Sequence, residues 1–435
     1  MKKKKMMQKN ESPQRVFIVG GGPAGMACAA FAAEQGAQVT LFEKNKQLGK
    51  KLSITGKGRC NLTNNCDVET VLHAVVRNPR FLQSALHAFP PNKTIELFEQ
   101  LGCPLKTERG NRVFPCSDRA ADVVGTLKRW LTRTGVTVCY ESVTALILDT
   151  SSTRCLGVQT TQGAYHADAV VLATGGLSYP TTGSTGDGYR FAAAAGHTIV
   201  HPAPSLIPLE IKEPDCAAMA GLSLKNAALH ITRISDGKTV YTDFGEMLFT
   251  HFGVSGPMIL SASAHLEPTQ MQDYVLHLDF KPALDAKALD IRIQSDFSKN
   301  ANRDFANALD ALLPRLLIPA IIRRSKIPPH SKVHQITKQQ RLALCGILKD
   351  YTLHPYGMRP IAEAIVTRGG VSTIEVNPRT MASKCCAGLF FAGELLDIDA
   401  YTGGFNLQLC FATAFAAARG VAKFISAKSD VSERI

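Results

Sequence analysis

The run RVFIVGGGPAGMACAAFAAEQGAQVTLFEK, residues 15–44, restricts the fold of this 435-residue chain more than any other stretch. Val16 to Val19 is β-branched and aromatic, as a buried strand requires, and it runs into Gly20, Gly22 and Gly25 in the spacing G-x-G-x-x-G. An alanine-rich helix is predicted from Ala24 to Gln35, with Gly36 to stop it, and a second strand from Gln38 to Phe42. Gly20 serves the tight turn, Gly22 lets backbone N–H groups approach a pyrophosphate, and Gly25 lets the helix pack on the strand. The helix N-terminus adds the partial positive charge that phosphates need. Glu43 follows about 20 residues beyond Gly20, where a carboxylate accepts from both hydroxyls of an adenosine ribose and repels a 2′-phosphate. FAD or NAD fits this pattern, and NADP does not.

With 45% hydrophobic residues, the chain can bury a large core and is expected to divide into two or three domains. Its net charge of +13 points to an anionic partner. Lys2, Lys3, Lys4, Lys5 and Lys9 belong to a basic tail, residues 1–14, expected to be disordered and lacking the apolar stretch of a secretory signal. No uninterrupted run of 18 apolar residues is present, which argues against a spanning helix. Twelve cysteines without C-x-x-C spacing resemble neither a disulfide framework nor a zinc site, so no metal is expected and a reducing, cytoplasmic location is.

The segment LGKKLSITGKGRCNLTNN, residues 48–65, carries Lys50, Lys51, Lys57 and Arg59 and no acid. It is read as a loop wrapped along phosphates and a flavin, not as a core helix. Cys60 stands within it, where cations would favour its thiolate. Helical patterns follow from Pro79 to Leu101 and from Asp118 to Thr134, with a hairpin at Gly110-Asn111 between them. A buried strand, Ala169 to Ala173, runs into Thr174 and Gly175, which lets backbone pass close to a ligand.

After His197 the texture changes to short alternating strands, with a glycine-rich loop from Phe249 to Pro257 that holds His251. Residues 283–348 are helical in period. Within them Arg315, Arg323, Arg324, Lys326, Lys332, Lys338 and Arg341 form a run of one sign with no acid, a candidate footprint for a polyanion. The last part returns to the opening chemistry. Ala362 to Thr367 reads as a strand with a turn at Gly369-Gly370, and Gly388 to Ala392 as a buried strand entering Gly393-Glu394. Gly403-Gly404-Phe405-Asn406 then opens an alanine-rich helix, a second anion-stabilising cradle for the electron-rich edge of a reduced flavin, and Glu394 is placed to bind ribitol hydroxyls. No second fingerprint exists, so no nicotinamide domain is assigned.

The motifs GGGPAG (20–25), GKGRCNLTN (56–64), ATGGLSYPTTGSTGDGY (173–189), THFGVSGP (250–257), TRGGVS (367–372), TMASK (380–384) and FAGELLDIDAYTGGFNLQ (391–408) together resemble the YhiN/BaiN family of bacterial FAD-binding flavoproteins. The resemblance spans nearly the whole chain. It implies an α/β fold: a glutathione-reductase-type, Rossmann-like FAD domain (15–196 and 365–425) with an inserted β-barrel domain (197–280 and 349–364) and a small helical domain (281–348). It also implies that Gly20, Gly22, Pro23, Ala24, Gly25, Glu43, Lys44, Arg59, Cys60, Asn61, Val143, Thr174, Gly175, Gly393, Glu394, Gly403, Gly404, Phe405 and Asn406 contact FAD. Thr55, Ala400 and Phe405 depart from the family's usual Ser, Gly and Tyr, so no tyrosine hydroxyl is on hand at 405.

Members of that family are implicated in making dihydrouridine in large-subunit ribosomal RNA, or resemble reductases of a steroid enone. Both are hydride additions to an activated C=C bond, with an acid protonating the α-carbon. For uridine the hydride goes to C6 and the proton to C5, and Cys60 and His251 are the candidate acids. Ribosomal RNA is the expected partner, with neither DNA nor membrane, and NAD(P)H is the expected transient electron donor. Two alternatives stay open: a small-molecule ene-reductase or dehydrogenase, and a non-catalytic RNA-binding flavoprotein. Oligomeric state is not legible.

Overall fold

The computed structural model describes residues 14–432, so the lysine tail lies outside the described residues. By Cα proximity the chain divides into two units, one running to Pro202 and resuming at Val366, the other spanning Ala203–Ile365.

The first unit is built on a five-stranded parallel sheet in the spatial order Leu389–Phe391, Ala169–Leu172, Arg15–Val19, Gln38–Phe42, Thr137–Cys139. The central strands are apolar on both faces because both are covered, one by the helices Pro23–Glu34 and Phe405–Ser432, the other by a three-stranded antiparallel sheet, Val143–Leu148, Cys155–Thr160 and Ala164–His166. The helix Pro23–Glu34 is buried from Ala24 to Ala32 and packs against the long C-terminal helix, Phe405–Ser432. Alanines on both helices let the two backbones come close. Phe31 breaks this small-residue pattern and centres an aromatic cluster, edge-on to Trp130, Phe415 and Phe89 at 4.8, 5.1 and 5.4 Å. The Trp130 indole N–H donates to Glu34 at 2.7 Å, so the buried donor is satisfied.

Two glycines of the fingerprint are dictated by contact. A Cβ at Gly20 would lie 2.5 Å from the Ala173 carbonyl oxygen, and one at Gly25 would lie 1.8 Å from that of Gly20. Gly22 has open space where its Cβ would stand, as a position facing a ligand requires.

The second unit holds a seven-stranded sheet in the order Tyr351–Leu353, Tyr274–Asp279, Ser223–Arg233, Thr239–Thr250, Gly253–Ser255, Leu209–Ile211, Pro355–Met358, with antiparallel pairings throughout. Its two outermost strands are separated in sequence by His354 alone, so chain continuity bends the sheet round; no ladder joins those edges among the described residues. The helices Ala286–Lys299, Ile318–Ser325 and Lys338–Lys349 share one hydrophobic core with this sheet.

Several local expectations change. Residues 50–54 form a short helix, Lys50–Ile54, because Leu52 finds a buried place that a free loop would not offer it. The expected strand at Ala362 to Thr367 lies later, at Val366–Val371, and runs through both glycines, which any periodicity count reads as a turn. The expected glycine-rich loop around His251 is a hairpin whose strands Thr239–Thr250 and Gly253–Ser255 leave only His251 and Phe252 in the turn. One described helix segment, Phe405–Ala427, is long and apolar enough to cross a membrane by length and composition, and 61% of its most apolar window is buried in the fold. Asn406, Gln408 and Arg419 interrupt it, which is why a search for unbroken apolar runs passes it over.

Candidate cofactor site

The first unit gathers its glycine-rich turns at one edge. Gly20, Glu43, Thr174 and Gly393 each follow the carboxyl end of a strand in the parallel sheet, and four neighbouring strands are involved. Ligands of open α/β sheets bind at this edge. The helix Pro23–Glu34 starts at Gly22 with no side-chain cap, so its first N–H groups are left for another acceptor.

Glu43 is buried, and its carboxylate is held in place by Gly21 N–H at 2.7 Å on one oxygen and by Asn45 N–H and side-chain amide, both at 2.7 Å, on the other. A carboxylate so fixed is an acceptor with lone pairs to spare for hydroxyl donors. Lys44 instead turns to Asp187 at 2.6 Å and to Thr185. Burial works to raise the Asp187 carboxyl, yet hydrogen bonds from Lys44 and Thr185 hold it below its ordinary range.

The opposite wall comes from the other end of the chain. A Cβ at Gly393 would lie 2.7 Å from that of Ala24, so the last strand delivers its turn onto the start of the first helix. A Cβ at Gly404 would lie 2.3 Å from the Thr63 carbonyl oxygen, and Asn64 donates to the Gly403 carbonyl at 3.1 Å. Gln408 fastens the base of this turn: its buried amide oxygen accepts from Thr63 and Thr94, each at 2.7 Å, and its nitrogen donates to the Phe89 carbonyl at 2.9 Å. Asn406 is occupied in shaping the turn, accepting from Ala400 N–H at 3.0 Å and donating to the Ala400 carbonyl at 2.7 Å. Phe405 is buried below it. Arg77 grips the fully buried Asp399 at 3.0 Å through both oxygens, and Asn78 binds Asp397, whose carboxyl burial holds above its usual range.

Two polar atoms test whether FAD fits. Asn61 Oδ1 and Thr174 Oγ1 are buried without a hydrogen-bond partner, and they sit on two of the segments expected to touch the cofactor. An unmet buried polar group costs about 1–3 kcal/mol, which a ligand with matching groups removes. The residues therefore fit the group.

Other expected contacts stand differently. Glu394 is gripped by Lys51 at 2.7 and 3.0 Å, accepts from Ser178 Oγ at 3.0 Å and from Thr367 N–H at 2.9 Å. Lys51, Ser178 and Thr367 were missed in sequence; only the acid-free basic segment hinted at Lys51. Arg59 binds Glu108 at 2.6 Å and Asp118 at 2.9 Å and lies 4.2 Å over the Phe114 ring, so its charge is matched within the protein. The expected thiolate at Cys60 is overturned. Cys60 is fully buried, and burial pushes its thiol up to about 12 while Arg59 faces away to its acids. Val143 opens a separate three-stranded antiparallel sheet, paired with Thr160. His251 belongs to the second unit, exposed at its hairpin turn with its ring 4.9 Å from that of Phe252.

The basic run is partly engaged in ion pairs within the second unit. Arg323 and Arg324 both bind Asp215, at 2.7 and 3.2 Å, and Arg324 lies 3.6 Å over the Tyr351 ring, whose hydroxyl donates to the same carboxylate at 3.0 Å. Lys332 pairs with Asp304 at 2.8 Å and Arg341 with Asp290 at 2.6 Å. The run lacks acids in sequence because they arrive from elsewhere in the second unit. Arg315, Lys326 and Lys338 stay exposed with no ion pair among the described residues.

Residues 14–420 match the family described as HI0933-like protein Rossmann domain. The chain is 31% identical over 413 residues to the 3-dehydro-bile acid delta(4,6)-reductase of Clostridium scindens, covering 94% of this chain and 99% of that protein. It is also 31% identical over 413 residues to the ribosomal RNA dihydrouridine synthase of Haemophilus influenzae, covering 94% and 98%. Among solved structures, the 3-ketosteroid delta1-dehydrogenase of Sterolibacterium denitrificans aligns over 94% of this chain and 99% of its own, with a TM-score of 0.50 and 14% identity, a likeness of fold alone.

Proposed function

The chain belongs to the HI0933-like family, and on that premise we propose that it is an FAD-dependent oxidoreductase reducing a C=C bond conjugated to a carbonyl, with a uridine of ribosomal RNA as its substrate. The observation that carries the cofactor is the uncapped helix start at Gly22 beside Glu43 and Thr174 at the carboxyl edge of the parallel sheet, with Asn61 Oδ1 and Thr174 Oγ1 buried and unmet. Bound FAD supplies the hydride. Around it, Glu43 would accept from ribose hydroxyls, the uncapped helix start would hold phosphates, and Asn61 and Thr174 would complete their own hydrogen bonds. Gly403-Gly404 would offer backbone N–H groups to the edge that gains negative charge. Of the two candidate acids, Cys60 keeps its proton at neutral pH and His251 stands exposed. NAD(P)H would act as transient donor.

The net charge of +13 and the exposed Arg315, Lys326 and Lys338 favour RNA over a small molecule. A base in folded RNA must be unstacked to reach any reducing group, and cations that hold the phosphates support that. The setting would be the cytoplasm. The reductase from Clostridium scindens supports a second reading, a steroid-like enone, whose conjugated C=C–C=O unit asks for the same chemistry. Comparing ribosomal RNA from cells with and without the gene by mass spectrometry decides between them. Loss of one dihydrouridine is expected. If every dihydrouridine survives while the purified yellow protein reduces a free enone, the second reading replaces the first.

A further inference from the structure

We propose that His197, Glu375 and Cys385, all in the first unit, form a binding site for a zinc ion, with water as the fourth ligand. Their donor atoms lie within 4.8 Å of one another. The His197 side chain is fully buried, and its Nδ1 has no hydrogen-bond partner. That atom faces a Glu375 carboxylate oxygen at 3.4 Å.

Hydrogen bonding explains why this arrangement calls for a cation. Nε2 of His197 lies 2.6 Å from Ser383 Oγ. Ser383 Oγ already accepts two backbone N–H groups, so its own hydroxyl hydrogen is left for Nε2 and the neutral ring carries its proton on Nδ1. That N–H faces Glu375 without reaching hydrogen-bond geometry, and a buried donor is left unmet. A metal ion on Nδ1 removes the difficulty: two ligand atoms bonded at about 2.0–2.1 Å to a tetrahedral zinc stand about 3.4 Å apart, the separation found here.

The surroundings resemble those of a held ligand set. Ser383 Oγ orients the imidazole, and it also accepts the N–H groups of Cys385 and Cys386, at 3.1 and 2.8 Å, which fixes the loop bearing the thiol. Thr198 N–H and Oγ1 each donate to Glu375 at 2.8 Å. The ring packs edge-on to Phe391 at 4.8 Å. Mixed nitrogen, oxygen and sulfur donors suit zinc among the common divalent ions. Binding converts the Cys385 thiol to thiolate and releases one proton to solvent. His197 precedes the point where the chain leaves this unit, and Glu375 and Cys385 follow its return, so the ion would join the two crossings. Sequence spacing shows no zinc motif because the three ligands come from distant stretches.

The test uses the flavin-loaded full chain and zinc alone. Cys385 alkylation by iodoacetamide is followed by peptide mass spectrometry, with the exposed Cys116 as internal reference. One equivalent of zinc is expected to slow Cys385 labelling while Cys116 labelling is unchanged, and one zinc per chain should persist through gel filtration. Glu375→Gln should weaken retention by about tenfold or more. Unchanged Cys385 labelling with zinc present overturns the proposal, as does undiminished zinc uptake in Cys385→Ser. The labelling comparison needs no variant, so a misfolded mutant cannot obscure it.

Discussion

Lys51 and Glu394, 343 residues apart in sequence, meet in a two-pronged ion pair of 2.7 and 3.0 Å at the edge of the parallel sheet. Each side chain is mostly buried, and the carboxylate also accepts from Ser178 and Thr367. The contact joins the segment after the first helix to the turn after the last strand, so it closes the two arms of the candidate site on each other.

Replacing Lys51 by Met leaves Glu394 sheltered without its cation. The cost is expected at about 2 kcal/mol, between that of an exposed and a fully buried pair. Urea denaturation of the purified protein should show it, together with weaker FAD retention on gel filtration. A stability equal to wild type would show that Ser178 and Thr367 suffice for this carboxylate.

Thr174→Val separates the fold from the cofactor. The hydroxyl has no partner in the protein, so its loss should leave the flavin-free protein as stable as wild type or about 1 kcal/mol more so. FAD affinity, read by quenching of flavin fluorescence, should fall by about tenfold, or 1.4 kcal/mol. If affinity is unchanged, Thr174 does not face the cofactor.

Buried thiols make stability sensitive to alkali. Burial pushes Cys28, Cys60, Cys216 and Cys386 up to about 12, whereas unfolded thiols ionise near 9. Between those values the unfolded chain gives up protons that the folded chain keeps, so stability is full below about 9 and falls as pH rises toward 12. Urea midpoints measured across this window should decline steadily. At neutral pH Cys60 should resist iodoacetamide while the exposed Cys116 reacts.

The basic run divides into structural and available charges. Arg323→Ala with Arg324→Ala strands the sheltered Asp215 and is expected to cost about 3–5 kcal/mol in urea denaturation. Arg315→Glu with Lys338→Glu should leave that midpoint unchanged. The second pair should instead weaken retention of ribosomal RNA and lower the salt slope by about 1 per lost phosphate contact. RNA retention untouched by the second pair would move the footprint elsewhere on the protein.

The fingerprint was legible because its causes are local. Gly25 is required by the approach of the Gly20 carbonyl within a single strand–turn–helix, Gly20 has a positive φ at that same turn as well as the Ala173 carbonyl of the next strand against it, and Glu43 follows at a distance set by that unit's length. The segments at Thr174 and Gly393 were legible for the same reason: each is a short apolar strand that stops at glycine. Val366–Val371 was misplaced because a strand crossed by two glycines carries no alternation to read.

The sequence by itself determined that a dinucleotide-binding unit opens and closes this chain, since strand, turn and helix signals are written in neighbouring residues. Which charges remain available was decided only in three dimensions. Arg59, Lys51, Arg323 and Arg324 look free in the chain, and each finds its carboxylate on a distant segment, at Glu108 and Asp118, Glu394 or Asp215. Electrostatic pairing depends on distance through space, and separation along the backbone does not report it. The same holds for His197, Glu375 and Cys385, which no spacing rule connects and which the fold places side by side.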